Sequence, residues 1–361
     1  MIGMDPIQLG LVSLVLLSVL IAIGMPIAFA AALLGFLGVW VMAGLSAAFT
    51  MIGASPHAIT SNYTYTVIPL FIIMGYFGEA GNIPQEMYGI GRAWLGRLPG
   101  GLAAATTVAG AGLAAICGSS SASAAILTRV ALPELNRYNY NHKLSTGCIA
   151  IVGTLAVMIP PSVLMVIYGI MTEQSIGKML IAGVIPGLVI TSSIVMLIVV
   201  MVWRRPSLAP PMMEPVSWKQ RFTSLKNLWA ILLLIFLVMG GIYTGLFTPT
   251  EAGAVGALGT LFIGLVRRRM TSATFWHSLL DAGISTSMVF IAVVGILIFG
   301  KSLAMSEVTY KISEFIINIE AAAKAIGIPI AISTERRTSE TKPNWIGSIP
   351  ITYLSLVYRI L

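Results

Sequence analysis

The chain has 361 residues, 57% of them hydrophobic and only 9% charged, with 21 basic against 13 acidic side chains and a formal net charge of +8. Mean hydropathy is +0.93. A soluble domain carries about 25% charged residues, so this composition excludes a soluble enzyme, a disordered protein and a disulfide scaffold, and leaves an all-α polytopic membrane protein.

A spanning helix needs about 20 apolar residues. The expected segments, in chain order, are 7–24, 26–48, 66–81, 100–117 with 120–132, 146–170, 178–203, 228–247, 249–266, 278–304 and 309–330. These long unbroken runs also exclude a barrel, whose strands alternate. The N-terminus has no basic n-region and no A-x-A-like site, so no cleaved signal peptide is expected. Cys117 and Cys148 give neither a metal-ligand nor a disulfide pattern. His57, His142 and His277 fall in stretches read as loops, so none is placed as a base beside a membrane serine. Asp281 and Lys301 lie near the ends of 278–304, where they snorkel or pair.

Two segments are interrupted. The stretch 100–132, rich in Gly, Ala and Ser, breaks at Cys117-Gly118-Ser119-Ser120-Ser121, and 146–170 contains Pro160-Pro161, which removes two backbone donors at mid-membrane depth. Charge placement tests the first break. The basic clusters sit between apolar runs, as in cytoplasmic loops rather than a nucleic-acid surface. If 100–132 enters and leaves on one side, then Arg92 and Arg97, Arg129 to Lys143, Arg204 to Lys226 and Arg267 to Arg269 all fall in the cytoplasm. A single crossing would put every later cluster outside. The charges therefore favour a re-entrant hairpin.

Internal similarity follows at an offset of about 220 residues. Met25-Pro26-Ile27-Ala28 opens one Ala/Gly-rich helix and Thr248-Pro249-Thr250-Glu251 another; Ile68 to Gly78 matches Val289 to Gly300 in texture. Segments 26–48 and 278–304 run outward while 66–81 and 249–266 run inward, so the two halves are inverted. After Ile330 the chain turns charged and loop-like, where symmetry asks for a second hairpin.

The chemistry-bearing residues lie at the two breaks. A hairpin tip inside the bilayer frees helix-end N–H and C=O groups, which are tolerated only where they line a cavity or bind something. Ser hydroxyls and carbonyls at Ser119, Ser120 and Ser121 suit a hard cation, and the start of the second half-helix offers N–H groups to a carboxylate. Gly and Ser that merely permit close packing are the competing account. Gly153, Thr154, Pro160, Pro161 and Ser162 form either an unwound, cation-coordinating segment or a simple kink. Thr248, Pro249 and Glu251 spell a capping box.

The run Ala115-Ile116-Cys117-Gly118-Ser119-Ser120-Ser121-Ala122-Ser123-Ala124-Ala125, followed by Ala131-Leu132-Pro133-Glu134, Gly153-Thr154-Leu155, Ile159-Pro160-Pro161-Ser162 and Met165 to Gly169, resembles one family. It is the large membrane subunit (DctM-like permease) of tripartite ATP-independent periplasmic (TRAP) transporters. Ile181 to Gly187 and Gly245 to Ala252 are similar to it too, so the likeness covers roughly residues 5–328.

That resemblance implies a multi-pass protein of a bacterial or archaeal inner membrane, importing organic acids such as C4-dicarboxylates or sugar acids. It implies Na⁺ as coupling ion, no cofactor, and two protein partners: a small membrane subunit and a periplasmic solute-binding protein. An inverted-repeat, elevator-type mechanism is implied as well. Ser119, Ser120, Ser121, Gly153, Thr154, Pro160, Pro161 and Ser162 become a Na⁺ site, with Ser119, Ser121 and Ser123 toward substrate; many family members carry Asp or Thr where Ser123 stands. The domains then read as first-repeat scaffold helices (1–98), first hairpin and broken transport helix (99–203), a cytoplasmic loop (204–227), the start of the second repeat (228–330) and an atypical tail (331–361). The family continues through a second hairpin and a second Pro-Pro segment, so a frameshift or truncation near 328 is expected. A defective remnant and an intramembrane serine hydrolase are the rival readings.

Overall fold

The computed structural model describes residues 5–210 and 217–325; the expected tail 331–361 lies outside them. The chain opens with α1 (Pro6–Ala22), α2 (Ile27–Ala43), α3 (Leu45–Thr60), α4 (Val67–Ala80) and α5 (Ile83–Leu95). A hairpin follows, α6 (Gly101–Cys117) and α7 (Ser120–Arg137), then a broken helix, α8 (His142–Gly153), α9 (Leu155–Met158) and α10 (Val163–Met171), and the long α11 (Ile176–Arg204). Helices α12 (Trp218–Leu225), α13 (Trp229–Ile235) and α14 (Gly241–Tyr243) form one run with a π-turn at Phe236–Gly240; α15 (Pro249–Val266), α16 (Ser272–Met305) and α17 (Val308–Ala325) complete it. Four of these runs are long and apolar enough to cross a membrane, or six if two bent pairs each count as one span. The protein is an all-α polytopic membrane protein.

Several expectations need correction. Segment 26–48 is two helices, because Gly44 takes φ 91° and ends α2 there. The loop read after residue 81 contains α5, an amphipathic helix burying Ile83, Met87, Tyr88 and Ile90. The three histidines are helical: His57 in the last turn of α3, His142 first in α8, His277 within α16. Asp281 lies well inside α16, whereas Lys301 stays about one turn from its end at Met305. The expected capping box is formed: Thr248 Oγ1 accepts from Glu251 N–H, Glu251 Oε2 accepts from Thr248 N–H, and Pro249 sits in the first turn.

The chain divides into a central unit, Thr64–Thr286, and a unit built from the described residues up to Tyr63 and from Ser287 onward. Each contains a tightly packed pair of parallel helices drawn from the two halves of the sequence. In the terminal unit the Cβ positions of Gly35 and Gly38 meet Ile298 and Ser302, and that of Gly295 meets Ala28, so contacts climb both helices together. In the central unit Gly253 meets Leu70, Gly256 meets Met74, and Gly264 approaches Gly81, again ascending in step. Thus the helix opened by Pro26 packs parallel to the second part of α16, and the helix opened by Pro249 packs parallel to α4. Each pair joins one element from either half of the sequence, in the direction that the inverted reading requires.

The central unit gathers its basic loops at one end. The Gly100 Cβ position lies against Ile198 and Val202 of α11, and Asn141 N–H donates to Leu208 C=O at 2.8 Å. Leu102 N–H, at the start of α6, donates to the Tyr140 hydroxyl just past α7 at 3.2 Å. Arg92 pairs with Glu134, Trp94 meets Phe222 edge-on, and the Arg267 guanidinium lies over the Trp229 ring. Both feet of the hairpin therefore stand at the C-terminal end of α11. This is the re-entrant course that the positive charges call for.

Candidate functional site

Gly118 ends α6 in a left-handed conformation, φ 57°, with its N–H donated to Ala114 C=O at 3.2 Å. Ser119 is extended and opens α7 as N-cap residue; its carbonyl takes the Ser123 N–H at 3.0 Å, but its hydroxyl does not close onto the first turn. The chain then returns beside α6: the Gly110 Cβ position is 3.0 Å from Leu127 Cδ1, two residues nearly equidistant from the tip. The tip is held from behind by α4, where a Cβ on Gly75 would stand 2.9 Å from Cys117 Cα.

The second break lies opposite. Thr154 forms the turn between α8 and α9, and its hydroxyl donates to Ile151 C=O at 2.6 Å. Pro160 and Pro161, joined by a cis bond, cannot donate to the carbonyls one turn back. Ser162 caps α10, its Oγ accepting from Met165 N–H at 3.4 Å, and α10 leaves at 42° to the preceding helix.

The two breaks meet through main-chain atoms. Val163 N–H donates to Gly118 C=O at 3.3 Å, and a Cβ on Gly118 would lie 3.0 Å from Pro161 O. Gly153 presses on the start of α7, its Cβ position 2.8 Å from Ala124 Cβ and 3.2 Å from Ser120 O. Gly153, Pro160, Pro161, Ser162 and Ser123 are buried, Ser119 and Ser120 half-buried, Thr154 exposed, and Ser121 falls in the first turn of α7. Ser123 Oγ is fully enclosed, beside the Cys117 thiol. The junction thus contains Ser120, Gly153, Pro161 and Ser162, whereas the Thr154 hydroxyl turns back onto its own helix.

Sequence reasoning missed the contribution of α4. Beside Gly75, Glu79 near the end of this helix pairs with Arg129 of α7, and Asp281 of α16 is close enough to act on Glu79 electrostatically. Glu86 of α5 pairs with Arg267 at 2.5 Å. The signal was present as unmatched acids and bases flanking apolar runs. Among the described residues no group of three or more His, Cys, Asp or Glu side chains converges as a chelating set.

A re-entrant hairpin locked onto a broken helix defines a membrane protein of the transporter kind rather than a channel of continuous helices. The family model described as "Tripartite ATP-independent periplasmic transporter, DctM component" matches residues 14–333, and the chain belongs to that family. It is 35% identical over 285 residues to the C4-dicarboxylate TRAP transporter large permease protein DctM of Pseudomonas aeruginosa, covering 76% of this chain and 66% of that protein. It is 29% identical over 320 residues to the 2,3-diketo-L-gulonate TRAP transporter large permease protein YiaN of Escherichia coli, covering 87% and 73%. The sialic acid TRAP transporter large permease protein SiaM of Vibrio cholerae is 28% identical over 259 residues, covering 72% and 60%. The family is one of transporters, not enzymes.

Proposed function

We propose that this chain is the large permease subunit of a Na⁺-coupled importer of small organic acids. It works in a bacterial inner membrane with a small membrane subunit and a periplasmic binding protein. The observation that carries the reading is the docking of the hairpin tip onto the Pro-Pro break through Val163 N–H and Gly118 C=O. That contact collects hydroxyl and carbonyl oxygens from two helix ends, a donor set suited to a hard cation. Ser119, Ser120, Gly153, Pro160, Pro161 and Ser162, with Ser121 on the same turn, are the proposed Na⁺ site; Thr154, whose hydroxyl is held by Ile151 C=O, is left out of it.

The first turn of α7 supplies amide donors and a partial positive charge toward a carboxylate, so Ser119, Ser121 and the enclosed Ser123 are assigned to substrate. Because tip and broken helix share a backbone bond and the close Gly153–Ala124 contact, they move as one body in an elevator-type step. The acid is a C4-dicarboxylate or sugar acid, by likeness to the relatives.

The test is uptake of a labelled C4-dicarboxylate into proteoliposomes holding this chain with both partners. Uptake driven by an inward Na⁺ gradient, and lost in Ser123→Ala and in the Pro160→Ala, Pro161→Ala double variant, is expected. Uptake that is indifferent to Na⁺ would overturn the coupling.

A further inference from the structure

Helix α12 opens with a capping box between Ser217 and Gln220. Trp218, Phe222 and Leu225 follow at i, i+4 and i+7, so they form one stripe, and they are 65%, 60% and 36% exposed. Lys219 and Lys226 are exposed on the adjoining stripe. One flank of the stripe faces protein, where Arg221 is only 9% exposed, and the Phe222 ring within the stripe also reaches Trp94 edge-on at 6.1 Å.

Arg221 is the anomaly. A guanidinium keeps its charge and carries five N–H donors. This one lies 4.9 Å over the Trp218 ring. Among the described residues no oxygen accepts from it, and its Nε is fully enclosed without a partner. Such a cation favours an accompanying anion, and among the described residues none supplies one. The surroundings fix its nature. Arg221 belongs to the basic end of the central unit, where Trp side chains and Lys/Arg mark the headgroup level of a membrane. Beside it runs an exposed aromatic and aliphatic stripe suited to acyl chains.

We propose that Arg221 holds the phosphate of an anionic phospholipid of the bilayer, whose chains lie along Trp218, Phe222 and Leu225. Lys219 and Lys226 add attraction to the negative leaflet. A bilayer lipid is assigned rather than a free anion, because the apolar stripe contributes nothing to an inorganic ion.

The test uses the full chain in non-ionic detergent. Phosphatidylglycerol, phosphatidylcholine and inorganic phosphate are added separately, with binding read by native mass spectrometry and thermal unfolding. Phosphatidylglycerol is expected to bind and raise Tm, and the other two are not. Arg221→Gln is expected to weaken phosphatidylglycerol binding about tenfold, the scale of one lost charged hydrogen bond. Lys143→Gln, elsewhere at the same end, is expected to leave it unchanged. Equal phosphatidylglycerol affinity in wild type and Arg221→Gln overturns the proposal; inorganic phosphate reproducing the whole shift overturns the lipid assignment. Should Arg221→Gln fail to accumulate, the Trp218→Ala, Phe222→Ala double variant decides, since it keeps the charge and removes the stripe. Unchanged affinity there overturns the proposal as well.

Discussion

Gly118→Ala is the most informative single change at the hairpin tip. Gly118 sits at φ 57°, where a side chain costs roughly 1–2 kcal/mol. The added methyl would stand 3.0 Å from Pro161 O and 3.2 Å from Val163 N, and relieving such overpacking costs about 1–2 kcal/mol more. Those same atoms make the docking contact, so relief comes only by lengthening the Val163–Gly118 hydrogen bond. The total is about 2–4 kcal/mol, and with about 2.1 cal/mol/K of unfolding entropy per residue it lowers Tm by about 3–5 °C. Gly147→Ala is the control: it lies within α8 with nothing inside 4 Å of its Cβ position, and helix propensity alone predicts a gain of roughly 0.5–1 kcal/mol. The assay is thermal unfolding in detergent, with maleimide labelling of Cys117, which is 5% exposed, as a reporter of a dislodged tip. Equal Tm for the two variants, with Cys117 still protected in Gly118→Ala, would refute the close-packed left-handed tip.

Thr248→Ala removes the cap of α15 and is expected to cost about 1 kcal/mol, read as a small drop in Tm that Thr248→Ser largely avoids. Glu86 and Arg267 are 21% and 15% exposed in their ion pair; either single neutralisation is expected to cost about 1–3 kcal/mol, and the double variant less than the sum, which a double-mutant cycle measures. Cys117 and Cys148 are both buried, so a membrane-permeant maleimide is expected to label the native protein slowly and the unfolded protein fully. Rapid native labelling of Cys148 would place α8 away from Ala103, whose carbonyl its thiol meets at 3.4 Å.

The features most legible in the sequence were those where one physical rule acts alone. Charge placement located the hairpin, because no single crossing keeps the basic loops on one side. Pro160-Pro161 marked the second break, because two missing amides interrupt any helix. Thr248-Pro249-Thr250-Glu251 spelled its own cap. Helices α3 and α5 were not legible by the same route. A window of about 20 apolar residues passes over Leu45 to Thr60, which includes Pro56 and His57, and over Ile83 to Leu95, which includes Glu86 and Arg92. The spacing of Ile83, Met87 and Ile90 held the signal for α5, at helical period and behind Pro84. At the junction, the meeting of tip and break was expected, but its means were not. Backbone hydrogen bonds leave no mark in side-chain identity, and the close approach of α4 rests on Gly75, one of 36 glycines. Thr154 was grouped with the junction by its neighbours in sequence; its hydroxyl satisfies Ile151 instead, as Thr does within a helix.

The parallel pairing of α2 with the later part of α16 bears on the order in which the molecule is assembled. The central unit is one unbroken stretch of chain, so all of its partners emerge in succession. Gly35 and Ile298, by contrast, meet across most of the polypeptide. At about 5–20 residues per second, the roughly 260 residues between them take about 13–50 s to synthesise. During that interval the glycine-lined face of α2 lacks the partner it has in the finished fold. The seating of α16 against α2 is then a late step, taken after the whole central unit has been made. Substitutions at Gly35 or Gly38 would delay this step and expose the nascent chain to membrane proteases, while leaving the hairpin and its junction already formed.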